Sequence, residues 1–147
     1  MELIEYSQST DKFGKTVVKY FRDEIFQTFI DEKEHIINMG IDEFIRKMNS
    51  NTMVDELKNP IIEKAELFCT LTKEQNEILD RLLLSLFDSV IFNVMRALDE
   101  NDKEKTGIEL KVDEKNVRDL RLIGNGMLSG EIFDWFSRFS KFGQYQF

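Results

Sequence analysis

Residues 72–98, TKEQNEILDRLLLSLFDSVIFNVMRAL, decide the fold class. Leu79, Leu82, Leu83, Leu86, Phe87, Val90, Ile91, Val94, Met95 and Leu98 recur at i, i+3, i+4 spacing, the period of one face of an α-helix. Thr72 followed three residues later by Gln75 is a capping-box pattern that starts the helix near residue 73. Burial at about 1.5–3 kcal/mol per large side chain makes this stripe a main source of folding drive. Leu84 and Phe92 fall off the stripe, which predicts a central helix over about 73–99 packed on more than one side. The same stretch holds Asp80, Arg81, Asp88, Asn93 and Arg96. Such groups each cost a few kcal/mol at bilayer depth, so a core helix is expected and not a membrane span.

Upstream, Ser9-Thr10-Asp11 offers cap candidates for a first helix. Phe13, Val17, Phe21, Ile25 and Phe29 then fall every four residues, with Tyr20 and Phe26 widening the band. The helix is expected to run through Ile36 and Ile37 to Gly40, a residue suited to a left-handed C-terminal position. Asp42 opens a shorter segment carrying Phe44, Ile45 and Met48, and Asn49-Ser50-Asn51-Thr52 reads as a loop. Asn59-Pro60 reads as an N-cap followed by proline at the first helical position. Ile61, Ala65, Phe68 and Cys69 form the inner face of that helix.

Downstream, Asp99 to Thr106 is a charged loop. Ile108-Glu109-Leu110-Lys111-Val112 alternates strictly, as a half-buried strand does, and Val117 to Ile123 reads as its return. A short β-hairpin is therefore expected over about 108–123. Ser129 is a candidate cap for a last helix holding Ile132, Phe133, Trp135, Phe136 and Phe139, and the aromatic tail from Phe142 to Phe147 is expected to dock. The sum is a mainly α, single-domain helical bundle over residues 1–147, built around the long helix.

Composition narrows the function. Hydrophobic residues make up 41% and charged residues 33%, enough for a core and too apolar for a disordered chain. The net charge of −8 repels phosphate backbones, and the basic residues interleave with acids, as in Lys103-Glu104-Lys105, so nucleic-acid binding is not expected. One cysteine, Cys69, excludes an internal disulfide, and the acidic opening Met1-Glu2-Leu3-Ile4-Glu5 lacks the basic region of a signal peptide. A cytoplasmic protein is the expectation.

Catalytic and metal constellations are thin. Glu32-x-x-His35 has di-iron spacing, but such sites need two of these motifs and there is one histidine. Zinc fails on the same count. Asp99 to Leu110 starts like a calcium loop but lacks its glycine and its final glutamate. Cys69 lies on an apolar face without a basic neighbour to activate it, and Ser85 and Ser89 lie on a helix without an elbow or an adjacent base. Gly124-Asn125-Gly126 lacks the lysine of a phosphate loop. No catalytic, cofactor or metal residue is expected. Asp88, on a line with Leu84 and Phe92, is buried by this reading and needs a partner, for which Arg118, Arg121 or Arg138 are candidates.

The words Leu98-Asp99-Glu100-Asn101, Ile108-x-Leu110-x-Val112-Asp113, Leu128-Ser129-Gly130-Glu131 and Trp135-Phe136-x-x-Phe139-Ser140-Lys141-Phe142 cover about a third of the chain. They resemble small acidic bacterial proteins of immunity-protein type, which neutralise secreted toxins of competing bacteria. The resemblance supplies no catalytic residue and implies a protein partner. The expectation is thus a protein-binding module with a basic partner. It would meet Asp99, Glu100, Asp102, Glu104, Asp113 and Glu114, with Trp135 and Tyr145 as aromatic anchors. Two alternatives stand beside it. One is a small carboxylate-based or metal-assisted enzyme using Asp88 or Glu32, and the other is a helical homodimer that buries the surplus aromatics.

Overall fold

The computed structural model describes the backbone of residues 3–104 and 128–147, with side chains over 10–99 and 128–147. Among these residues the regular structure is helical throughout. Helix α1 (Leu3–Val18) passes through a π-helical turn (Lys19–Asp23) into α2 (Glu24–Met39); α3 (Ile41–Asn49), α4 (Asp55–Thr70), α5 (Lys73–Glu104) and α6 (Leu128–Phe139) follow. The expected hairpin over 108–123 lies outside the described residues. None of the described helices is long and apolar enough to cross a membrane.

The chain divides into two compact units. One comprises Met1–Ile25 with Leu84–Phe147, the other Phe26–Leu83. In the first, Val17, Val18, Ile91, Met95, Leu128, Ile132, Trp135 and Phe136 form the core, with Phe13, Phe92, Leu98, Phe139 and Tyr145 packed on it. Trp135 lies so close to α1 that a Cβ added at Gly14 would meet its indole ring at 2.5 Å. A glycine inside a helix costs about 1 kcal/mol against alanine, and here it makes room for the largest core side chain. In the second unit a smaller cluster of Ile36, Ala65 and Phe68 gathers Phe29, Ile41, Phe44, Cys69 and Leu79. The inner face read for α4 is thus observed at Ala65, Phe68 and Cys69.

Local signals of several kinds hold. Thr72 N–H donates to Gln75 Oε1 at 2.8 Å and Gln75 N–H to Thr72 Oγ1 at 3.2 Å, a reciprocal capping box opening α5. Gly40 ends α2 with φ +86°, a backbone that side-chain-bearing residues rarely adopt, although its ψ of 149° is extended and not left-handed helical.

Other expectations are corrected. Ser9-Thr10-Asp11 lies inside α1, which already runs from Leu3. Helix α4 begins at Asp55, so Pro60 sits within it and not at its first position. Ser129 does not cap α6. Its N-terminus is held by Asp99 of α5, whose Oδ1 and Oδ2 accept the Leu128 and Ser129 N–H groups at 2.8 Å each.

The largest correction concerns faces. On α1 the buried line passes from Val17 to Arg22, five residues on, and leaves Phe21 and Ile25 exposed. The π turn is the cause: Glu24 N–H bonds the Lys19 carbonyl, i to i−5, and rotates the register by one residue. On α5 the buried positions are Leu84, Asp88, Ile91 and Met95, while Leu82, Leu86, Val90 and Val94 stand in solvent.

Candidate functional site

Two adjacent residues of the π turn, Arg22 and Asp23, are both turned inward. Arg22 and Asp88 have fully buried side chains, 0% exposed each, and form a bidentate pair. Arg22 Nε donates to Asp88 Oδ1 at 2.6 Å and Nη2 to Oδ2 at 2.9 Å. The remaining N–H groups reach the C-terminal tail. Nη1 donates to Ser140 Oγ and to the Gly143 carbonyl, both at 2.7 Å, and Nη2 to the Gln144 carbonyl at 2.8 Å. All five guanidinium donors are thereby used, and the group also lies 4.2 Å from the Phe136 ring centroid.

The carboxylates complete the lock. Asp88 Oδ2 also accepts the Gln146 N–H at 2.7 Å. Asp23 accepts from Ser140 Oγ at 2.6 Å and from the Lys141 N–H at 3.1 Å. Gly143, at φ +81°, lets the tail bend so that its carbonyl faces Arg22. The tail docks as expected, but through its backbone; Phe147 at its end is almost wholly exposed. Asp88 is paired, as a buried carboxylate must be, and the partner is Arg22 and none of Arg118, Arg121 or Arg138. Arg138 instead binds Asp134 and Asp11. Burial works against its charge, and the hydrogen bonds and charges of Asp134 and Asp11 outweigh that, so it holds its proton more firmly than a free arginine.

With every donor of Arg22 used, this network has no free N–H for a substrate. Its role is to fix the tail and the aromatics on it. Tyr145 stacks on Phe136 with centroids 6.0 Å apart and meets Phe133 and Phe147 at 5.1 Å each. Phe133 meets Phe92 at 6.2 Å.

Beside this lock an open apolar groove of about 340 Å³ runs between Phe21 and Ile25 on one wall and Phe87, Val90, Ile91, Val94 and Met95 on the other. No lining residue is charged or polar. Sequence reading missed it because it assigned Phe21, Val90 and Val94 to the core.

The expected partner residues separate into three groups. Trp135 is 0% exposed and has no surface to offer a partner, because the close approach of α1 at Gly14 seals it. Asp99 has both oxygens bound to the N-terminus of α6. Tyr145 is half-buried within the aromatic group just described. The side chains of Glu100, Asp102 and Glu104, and all of Asp113 and Glu114, lie outside the described residues.

The residues weighed for catalysis are dispersed. Glu32 pairs with Lys64, His35 is exposed, and Cys69 packs on the smaller core. Ser89 Oγ donates to the Ser85 carbonyl at 2.9 Å. Among the described residues no group of three or more His, Cys, Asp or Glu is placed to hold a metal ion. No protein-family model, characterised protein or solved structure matches the chain.

Proposed function

We propose that this chain is a protein-binding module that takes an apolar helical ridge of a basic partner into the groove between Phe21 and Val90. The observation that carries the reading is the groove itself: concave, open, and lined by apolar side chains alone. Val90 is 60% exposed and Phe21 56%, an apolar surface that costs solubility unless something covers it. Val90, Ile91 and Val94 repeat at helical spacing along one wall, and Phe21 and Ile25 along the other, as in sites that seat an amphipathic helix. The net charge of −8 favours a partner that is basic outside its apolar stripe. An immunity-type inhibitor of a basic toxin is the biological role that suits such a module.

The test is affinity capture from the native host with the wild-type chain and with Val90→Glu/Val94→Glu, both checked for helicity. A stoichiometric basic protein retained by the wild type, released faster at high salt and lost with the variant is expected. The same protein held equally by both chains overturns the groove. A wild-type chain that self-associates through these residues in sedimentation, and holds no partner, overturns the module in favour of a homodimer.

A further inference from the structure

The tail lock and the apolar groove share a joint. Phe21 and Phe87 stand on opposite walls of the groove, and the residues that follow them in the chain are Arg22 and Asp88. The bidentate pair between those two side chains, at 2.6 and 2.9 Å, therefore ties one wall to the other. We propose that docking of the tail on this tie holds the groove in its binding shape, so that tail docking and groove occupancy favour each other. This coupling rests on the groove being the binding site and adds what regulates it.

Two routes lead from the tail to the groove. The first is polar. Three of the five Arg22 donors end on the tail, at Ser140 Oγ and the Gly143 and Gln144 carbonyls, and Asp88 Oδ2 accepts the Gln146 N–H. Without the tail these groups lose their partners at a site with no exposed surface, and the pair must turn or admit water to recover them. Either movement displaces the helical turns that carry Phe21 and Phe87. The second route is apolar. Tyr145 stacks on Phe136, and Phe136 belongs to the same packed core as Ile91 and Met95, the two buried residues of the groove lining.

The docked backbone turns on one residue. Gly143 sits at φ +81°, where residues with a side chain are strained, yet a Cβ there would meet nothing within 4 Å. Gly143→Val therefore opposes docking through backbone strain alone. Gly143→Asn, of similar size, enters positive φ more readily and should keep the tail in place.

Both variants and the wild-type chain are titrated with n-octanol, a neutral apolar probe. Binding is read from the methyl resonances of Ile25 and Val94, and tail docking from hydrogen exchange of the Gln146 N–H. Saturable binding by the wild type, lost in Val90→Glu, is expected. In Gly143→Val the Gln146 N–H should exchange faster and the affinity fall about fivefold or more, with Gly143→Asn close to wild type. Coupling is reciprocal, so octanol should slow Gln146 exchange in the wild type. Octanol bound as tightly by Gly143→Val, with its Gln146 N–H released, overturns the coupling and leaves the groove standing. A Gln146 N–H equally protected in wild type and Gly143→Val overturns the coupling as well. Octanol held equally by the wild type and Val90→Glu, or by neither, overturns the groove and the coupling together.

Discussion

Arg22 and Lys33 are both cations with nearly no exposed surface, one in each unit, and the chain treats them differently. Arg22 meets a carboxylate with no exposed surface of its own, and its other donors are taken by Ser140 and two tail carbonyls. Lys33 meets Asp80, whose side chain remains 28% exposed, and the Phe29 ring at 5.6 Å. The planar fork of arginine can bind several partners in fixed directions, whereas lysine brings a compact charge on a flexible stem. The first arrangement is a joint between three parts of the chain; the second is a buried stem with its charge near water.

Replacement of each cation by methionine puts that difference to the test. Arg22→Met leaves Asp88 charged, buried and short of two bonds, and should cost about 3–5 kcal/mol in urea unfolding. Replacing both members, as Arg22→Met/Asp88→Leu, should recover much of that loss, because no charge is then left unpaired. Lys33→Met leaves Asp80 free to hydrate and should change stability by about 1 kcal/mol or less. Equal losses for Arg22→Met and Lys33→Met would break the comparison.

Asp99→Ala is the next largest change. It removes both acceptors from the N-terminus of α6 and should cost about 1–2 kcal/mol, read by the same unfolding curves. The smallest effect belongs to Glu43 in the second unit, partly exposed beside Arg46. The Arg46 hydrogen bond holds the Glu43 carboxyl below its ordinary 4.5. A depressed carboxylate stabilises the fold above its unfolded value, and that help is lost as pH falls through the folded one. Carbon-detected titration should place the Glu43 midpoint below that of a free glutamate, and Arg46→Gln should return it there.

How much of this was legible follows from the range of each signal. The start of α5, the end of α2 at Gly40 and the apolar face of α6 rest on residues within a turn or two of each other, and short patterns report them faithfully. The exposed line on α5 was assigned to the core because apolar residues surround that helix, and period alone does not choose among faces. Asp88 makes the choice, since its pairing turns Leu84, Ile91 and Met95 inward. Arg22 was overlooked because a strict 3.6-residue period puts Phe21 inside, and the π turn breaks that period. A signal existed: Val18-Arg22-Phe26 and Leu84-Asp88-Phe92 are matching i, i+4 lines, each an apolar pair around one charge, of opposite sign. The role of Asp99 at α6 is a contact across 29 residues, and no local pattern carries it.

The division of the chain also sorts its chromophores. The single tryptophan and all three tyrosines fall in the unit built from both ends of the sequence, while the lone thiol and lone imidazole fall in the unit between them. Tryptophan and tyrosine fluorescence therefore observes one half of the protein, and alkylation of Cys69 or the proton resonances of His35 observe the other. Melting followed by both routes reads directly whether the halves come apart together or in turn.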